Sequence, residues 1–180
     1  AEKARKERRK AEEGARTEAL GVLRTGSANY YRGANDGESE AEFVARRAQE
    51  LEALILTEGP ETISAMIAEP VSGAGGVIVP PEVYFEAIQT VLDRYGVWLW
   101  DDEVICGFGR LGTDFGANKM SMRPQMMTLA KALSSAYVPV SAAIVQGDIA
   151  DCINASATEV GVSGHGYTYS GHPLGCAVAS

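Results

Sequence analysis

The amino-acid sequence predicts an α/β domain built on a largely parallel sheet. Three observations support this fold class: apolar runs alternate with amphipathic segments or long crossovers from residue 63 onward, these runs are short and nearly continuous, and polar residues follow where they end. Nearly continuous apolar strands are typical of a sheet that helices cover on both faces. The 180 residues suffice for one medium domain or for a piece of a larger one.

The first helices and strand are marked by local signals. A capping signal at Ser39 and apolar residues on one face up to Gly59 predict an amphipathic helix. The run ISAMIAEPV predicts a buried strand that enters the glycine-rich loop SGAGG. The sequence PPE at residues 80–82 suits the first turn of a second helix, which we expect to end at Gly96.

The second half of the chain continues the alternation. The strand VWLW is expected to lead into the acidic residues 101–103, followed by a long loop over residues 107–124 with one short helix. MMTLA and VSAAIV predict two more strands, and residues 148–157 suit a short helix. A last helix begins near Pro173 and stops within its apolar pattern. Because that apolar face would lack cover, we expect the chain to be part of a longer protein.

Composition and charge exclude several classes of protein. No apolar run approaches the about 20 residues of a bilayer span, and the charged N-terminus lacks a signal region, so we expect no membrane insertion, no secretion and a cytoplasmic location. The net charge of −8 makes the chain a poor nucleic-acid binder. Residues 1–20 alternate in charge and are interpreted as a solvated tail. Nucleic-acid binding by this tail is the weaker alternative, since glutamates interrupt its basic cluster.

The sequence does not support a disulfide, a metal site or a dinucleotide site. Cys106, Cys152 and Cys176 lack CxxC spacing, and we interpret them as small buried residues. His165 and His172, the only histidines, have no third ligand nearby, so no metal is expected. GFGRLG fits a dinucleotide motif, but no helical pattern follows it.

Polar residues at strand ends are the candidate site, because open α/β sheets bind ligands outside the carboxyl ends of their strands. Glu69, Asp102 and Lys131 each follow a predicted strand. A structural ion pair between Asp102 and Lys131 is one interpretation. The apolar residues around Lys131 in LAKALSS favour a functional interpretation, because they predict a desolvated lysine. A desolvated lysine has a lowered pKa and becomes a nucleophile toward carbonyl groups. An aldehyde cofactor would suit it.

Four segments resemble the class III aminotransferases, which use pyridoxal 5'-phosphate (PLP). AEPVSGAGGVIVPPE, DDEVICGFGR, LAKALSS and GHGYTYSGHP occur in the family's order, within a resemblance that covers residues 21–180. The match is most similar to the omega-amino-acid and amine:pyruvate branch. The resemblance implies the large domain of a fold type I PLP enzyme, here incomplete, with a mostly parallel sheet, flanking helices and a homodimer in the complete protein. Residues 1–20 do not resemble the family.

The resemblance also implies roles for individual residues. Lys131 matches the catalytic lysine that holds PLP as a Schiff base and later moves the proton at the substrate carbon. Asp102 matches the aspartate that faces the pyridine nitrogen and keeps it protonated, and Val104 matches the valine that packs on the ring. Thr168 matches a threonine that reaches across the dimer interface to the phosphate of the other subunit's cofactor.

The chain departs from the family pattern at a few positions. Gln125 stands where an aspartate is usual, and Trp98 and Trp100 crowd a strand that usually carries smaller residues. Asp101 replaces a small residue beside Asp102. Because neighbouring like charges favour protonation of one group, we expect Asp101 to raise the cost of ionising Asp102.

The reaction implied by the resemblance moves an amino group from an amine or omega-amino acid to a keto acid such as pyruvate. A related class III enzyme acting on ornithine or 4-aminobutyrate is an alternative, and Ile105 argues mildly against it because those branches more often place glutamine there. A non-catalytic truncated or degraded copy with weak or no PLP binding is another. We expect this chain alone to be inactive, since the upstream phosphate-binding turn and the C-terminal small domain are missing.

Overall fold

A computed structural model describes residues 21–161 and 166–180 of the chain. The expected charged tail at residues 1–20 and His165 lie outside the described residues. The helices are α1 (Tyr30–Gly33), α2 (Glu40–Glu58), α3 (Tyr84–Tyr95), α4 (Gly116–Lys119), α5 (Gly147–Val160) and α6 (Pro173–Ala179), with 3₁₀ turns at Pro60–Thr62 and Lys131–Ser134. The strands are β1 (Ala65–Ala68), β2 (Trp98–Asp102), β3 (Met126–Leu129) and β4 (Ala142–Val145).

The four strands form one sheet in the order β1-β2-β3-β4. β1, β2 and β3 are parallel, and β4 runs antiparallel to β3. The mixed α/β fold with a mostly parallel sheet is therefore confirmed. The antiparallel direction of β4 follows from its connection, which holds a 3₁₀ turn and no crossover helix, whereas a parallel pair needs a crossover.

Local signals place α2 as predicted and α3 only in part. The Ser39 hydroxyl accepts from the Glu42 N–H at 3.3 Å, and the Glu42 carboxylate accepts from the Ser39 N–H at 2.9 Å, forming a capping box. α3 ends at Gly96, in the left-handed region with φ 67°. It begins at Tyr84 rather than at the PPE sequence of residues 80–82, because residues 81–84 form a turn closed by the Tyr84 N–H and the Pro81 carbonyl at 3.0 Å.

The core lies between the sheet and the helices α2 and α3. Its most buried apolar side chains are at most 1% exposed: Phe43, Ile55, Ile88, Leu92 and Leu99. The other face of the sheet is open, with Ile67 and Trp98 exposed by 58% and 41%. The expectation that helices cover both faces is therefore wrong for the described residues, because α2 and α3 pack on the same side.

The cysteines have two different environments. Cys106 is buried, and its thiol donates a hydrogen bond of 3.3 Å to the Val71 carbonyl. Cys152 on α5 and Cys176 on α6 are exposed, so the expectation that all three are buried is wrong. These two cysteines are exposed because most residues of α5 and α6 are not covered by other described elements. Within the described ranges no cluster of side chains could hold a metal ion, and no helix is long and apolar enough to cross a membrane.

Candidate functional site

Asp102 and Lys131 lie at the same edge of the sheet. Asp102 is the last residue of β2, in register with Thr128 of the parallel neighbour β3. Lys131 starts the 3₁₀ turn that follows β3. The carboxyl ends of adjacent parallel strands thus bring a carboxylate and an amine to one edge, as the sequence predicted. Glu69 follows β1 at this edge as well.

The carboxylate of Asp102 is half-buried and only partly engaged. One of its oxygens, Oδ1, accepts a hydrogen bond of 3.1 Å from the N–H of Val104, which is also half-buried. No described residue donates to the second oxygen, Oδ2. Asp102 therefore keeps one oxygen that can accept a hydrogen bond from a ligand.

Asp101 points to the opposite face of β2. Both Asp101 and Glu103 are 0% exposed, on the side of the strand that carries Leu99. Burial, together with the charges of Glu103 and Asp102, raises the pKa of Asp101 to about 9. The expected effect was that Asp101 raises the cost of ionising Asp102. In the structure, burial disfavours the anionic form of Asp101 itself.

Lys131 is exposed at the open edge, so the expectation that it is desolvated is wrong for the described residues. Its apolar neighbours along the chain do not cover it, because the 3₁₀ turn follows directly on the edge of the sheet. Within the described part of the chain no ion pair joins Lys131 to Asp102, so the expected structural pair is not formed there. Its backbone has φ 47°, in the left-handed region, a conformation that costs about 1–3 kcal/mol and occurs often at functional sites.

Thr168 lies in an exposed turn that leads into α6. The ring nitrogen Nδ1 of His172 caps this helix by accepting from the Gly175 N–H at 3.4 Å. α6 contacts the 3₁₀ turn that begins at Lys131. Through α6, the turn that holds Thr168 is connected to the 3₁₀ turn that begins at Lys131. Thr168 itself is exposed. Its contact with a partner subunit stays a prediction.

Glu69 holds a loop at this edge, whereas Gln125 lies at the opposite end of the sheet, before β3. The Glu69 carboxylate accepts from the Ser72 hydroxyl at 3.1 Å and from the Gly73 N–H at 2.9 Å, so it orders the glycine-rich loop. The Gln125 side-chain oxygen accepts from the Leu99 N–H at 2.8 Å. The glutamine therefore supplies an acceptor that ties the start of β3 to β2. A strand-end carboxylate followed by a glycine-rich loop was the signal available for Glu69.

Glu103 is a further residue that the sequence reasoning missed. Its Oε1 accepts a hydrogen bond of 2.7 Å from the Ala117 N–H, at the first turn of α4. Gly116 permits the close approach of α4 to Pro70, because a Cβ at this position would lie 2.7 Å from two side-chain carbons of Pro70. The signal was present in the strand pattern: positions 99, 101 and 103 share a face, and two of them carry acids.

The polar side chains at this edge of the sheet fit the chemical groups of PLP. Asp102 offers a free acceptor oxygen, which a protonated ring nitrogen can use, and Lys131 offers an uncovered primary amine, which an aldehyde can use. The half-buried Val104 follows in the turn after β2, beside Asp102. These are the groups that would hold the ring and the aldehyde of the cofactor.

Most of the chain is similar to known transaminases. The family described as Aminotransferase class-III matches residues 20–180. The probable gamma-aminobutyrate transaminase 2, mitochondrial, of Oryza sativa subsp. indica is 55% identical over 158 residues, which cover 88% of this chain and 32% of that protein. Gamma aminobutyrate transaminase 1, mitochondrial, of Solanum lycopersicum is 54% identical over 88% of this chain and 31% of that protein.

The fold of the chain is also similar to that of solved transaminase structures. The omega transaminase from Pseudomonas jessenii in complex with PMP has a TM-score of 0.87 and 49% identity, covering 88% of this chain and 35% of that one. A structure described as a transaminase with L-ala has a TM-score of 0.86 and 49% identity, covering 88% and 37%. The chain spans about a third of the length of these relatives. By the match of its sequence and by its fold, this chain belongs to the class III aminotransferases.

Proposed function

We propose that this chain forms the cofactor-binding edge of a PLP-dependent aminotransferase. The reaction moves an amino group from an amine or omega-amino acid to a keto acid such as pyruvate. The observation that carries the proposal is the position of Asp102 and Lys131 at the ends of neighbouring parallel strands, with one carboxylate oxygen and the amine both unengaged by described residues. Family membership supports the same chemistry.

Each side chain at this edge has a different role in the proposed reaction. When bound, PLP supplies an aldehyde that takes up the amino group and a ring that accepts electrons. Lys131 would hold the aldehyde of the cofactor with its amine, and its Nζ would move the proton at the substrate carbon. Asp102 accepts a hydrogen bond from the ring nitrogen and holds the proton on it. Val104 packs on the ring and orients it.

The donor in this proposal is an omega-amino acid, and 4-aminobutyrate is one. Curated relatives that carry the name gamma-aminobutyrate transaminase are 51–55% identical to this chain, which supports that donor. Ile105, the residue that argues mildly against this donor, lies against the glycine-rich loop. A Cβ placed at Gly73 would lie 2.5 Å from the Cδ1 atom of Ile105, so this side chain packs into the glycine-rich loop.

The first experiment asks which lysine binds the cofactor. The chain, and a longer protein that contains it, would be expressed with PLP, reduced with borohydride and mapped by peptide analysis. We expect the label on Lys131 and its loss in Lys131→Ala, because the amine lies at the Asp102 edge. Lys119 on α4 is also exposed, and Lys119→Ala is the matched control that should keep the label. Labelling of Lys119 instead contradicts the assignment.

The same preparations separate an enzyme from a non-catalytic copy. Because the chain spans about a third of its relatives, we expect weak PLP absorbance and no turnover from the chain alone. The longer protein should convert 4-aminobutyrate and pyruvate to succinic semialdehyde and alanine, and Lys131→Ala should abolish this conversion. A longer protein that carries PLP on Lys131 but has no turnover with any amine donor supports the non-catalytic alternative.

We further propose that the longer protein is a homodimer in which Thr168 binds the phosphate of the neighbouring subunit's cofactor. Its exposure in the turn before α6 supports this role. Mixing Lys131→Ala subunits with Thr168→Ala subunits would then create one site with both residues intact, so activity should return on mixing. Activity that stays absent in the mixed dimer places both residues in the same subunit's site and contradicts the proposal.

A further inference from the structure

The core-facing side of β2 carries two carboxyl groups that the proposed reaction does not use. Asp101 and Glu103 are two residues apart and therefore project to the same side of the strand. Each is 0% exposed. Asp102 lies between them and points to the open face. The pair thus sits directly behind the carboxylate proposed to hold the cofactor ring.

The hydrogen bonds of this pair are incomplete. Glu103 Oε1 accepts from the Ala117 N–H at 2.7 Å. Glu103 Oε2 and both carboxylate oxygens of Asp101 are buried, and no donor among the described residues reaches them. The two carboxyl groups nevertheless interact with each other. Since ionised carboxylates can only accept, a hydrogen bond between them requires a proton on one of the two.

The surroundings favour that proton. Glu103 and Asp102 are the charges that act on Asp101, and both disfavour a second anion. Burial, followed by the charges of Glu103, Glu69 and Asp101, raises the pKa of the nearby Cys106 thiol, which stays neutral and offers no compensating charge. Among the described groups that act on Asp101 there is no cation. A proton is therefore the only available means of neutralising one of the buried carboxylates.

We infer that Asp101 and Glu103 share one proton, and that this proton clamps the end of β2 to the first turn of α4. The protonated Asp101 donates to Glu103, and Glu103 accepts in addition from the Ala117 N–H. The close approach permitted by Gly116 completes the clamp. Because Asp102 lies between the two acids, the clamp also fixes the strand end that carries it.

The clamp makes the stability of the folded chain depend on pH. The pKa of Asp101 rises from its ordinary value of 3.8 to about 9 on folding. Between these values the folded chain holds a proton that the unfolded chain has lost, so stability falls as pH rises through this window and levels off above it. When the shared proton finally leaves to solvent, two adjacent buried anions remain and the clamp is disrupted.

Infrared spectroscopy tests for the proton directly. The chain would be labelled with ¹³C in its aspartate and glutamate carboxyl groups and measured at neutral pH. We expect a carbonyl band of a protonated carboxylic acid that disappears in Asp101→Asn and persists in Asp114→Asn, an exposed carboxyl group in the loop after β2. Absence of the band in the unmodified chain, or its persistence in Asp101→Asn, overturns the inference.

Unfolding by urea tests the linkage. Between about pH 5 and about pH 8, the ratio of the unfolding constants of the unmodified chain and Asp101→Asn should grow toward tenfold per pH unit, the effect of one proton. Asp114→Asn should follow the unmodified chain. If Asp101→Asn does not fold, Asp101→Val, which also lacks the proton, takes its place. Parallel pH profiles for the unmodified chain and the folded variant overturn the shared proton.

Discussion

The two faces of the sheet differ in burial and in chemistry. The face under α2 and α3 buries Phe43, Ile88 and Leu99 almost completely, whereas the opposite face leaves Ile67 and Trp98 exposed. The closed face supplies the apolar burial that stabilises the fold. The open face and its edge carry the groups that remain free to bind a ligand. One strand, β2, serves both, because its side chains alternate.

The neighbours Asp101 and Asp102 show what this alternation does to identical side chains. Asp101 faces the core, where burial raises its pKa to about 9. Asp102 faces the open side and accepts a hydrogen bond from the Val104 N–H. The direction of a strand residue therefore decides whether a carboxyl group is a buried acid or a candidate ligand contact.

The largest expected effect is on the open face. In a longer protein that contains this chain, Asp102→Asn should slow the half-reaction roughly a thousandfold, about 4 kcal/mol, because a neutral amide cannot hold a proton on the ring nitrogen. Single-turnover absorbance changes measure it. Asp114→Asn, which changes an exposed carboxyl group in the loop after β2, is the matched control and should keep the rate, and Asp101→Asn is the comparison on the core-facing side. A loss confined to Asp101→Asn would assign the role to the core-facing carboxyl group instead.

A smaller effect tests the closed face by itself. Leu92→Ala on α3 should reduce the free energy of unfolding by about 3 kcal/mol, since Leu92 is 0% exposed and the substitution leaves a cavity. Ile67→Ala on β1 removes similar atoms from the open face and should cost less than about 1 kcal/mol. Urea unfolding of both variants gives the comparison. Equal losses would mean that the open face is covered in solution.

The smallest effect concerns the loop that joins the two faces. Gly116→Ala should cost about 1–2 kcal/mol, because its Cβ would meet Pro70 carbons at 2.7 Å. Gly147→Ala at the start of α5 meets nothing within 4 Å and should be neutral or slightly stabilising. Thermal unfolding of the two variants measures the difference. A neutral Gly116→Ala would show that α4 can move away from Pro70 without loss.

The sequence by itself determined the elements whose signals are local. Ser39 and Gly59 bound α2 because a capping hydroxyl and a helix-ending glycine act within one turn of chain. The strand ends at Asp102 and near Lys131 followed from the change from apolar to polar residues. The convergence of these two residues was predictable because parallel strands place their carboxyl ends together.

The tertiary structure alone decided which side of each strand is covered. That α2 and α3 share one face, that β4 turns back along β3 and that Lys131 stays exposed all depend on contacts between segments distant in sequence. The sequence around Lys131 is apolar, but burial is set by what packs against a residue and not by its neighbours along the chain. For the same reason, only the packing of β2 against the core separated the buried Asp101 from the half-buried Asp102.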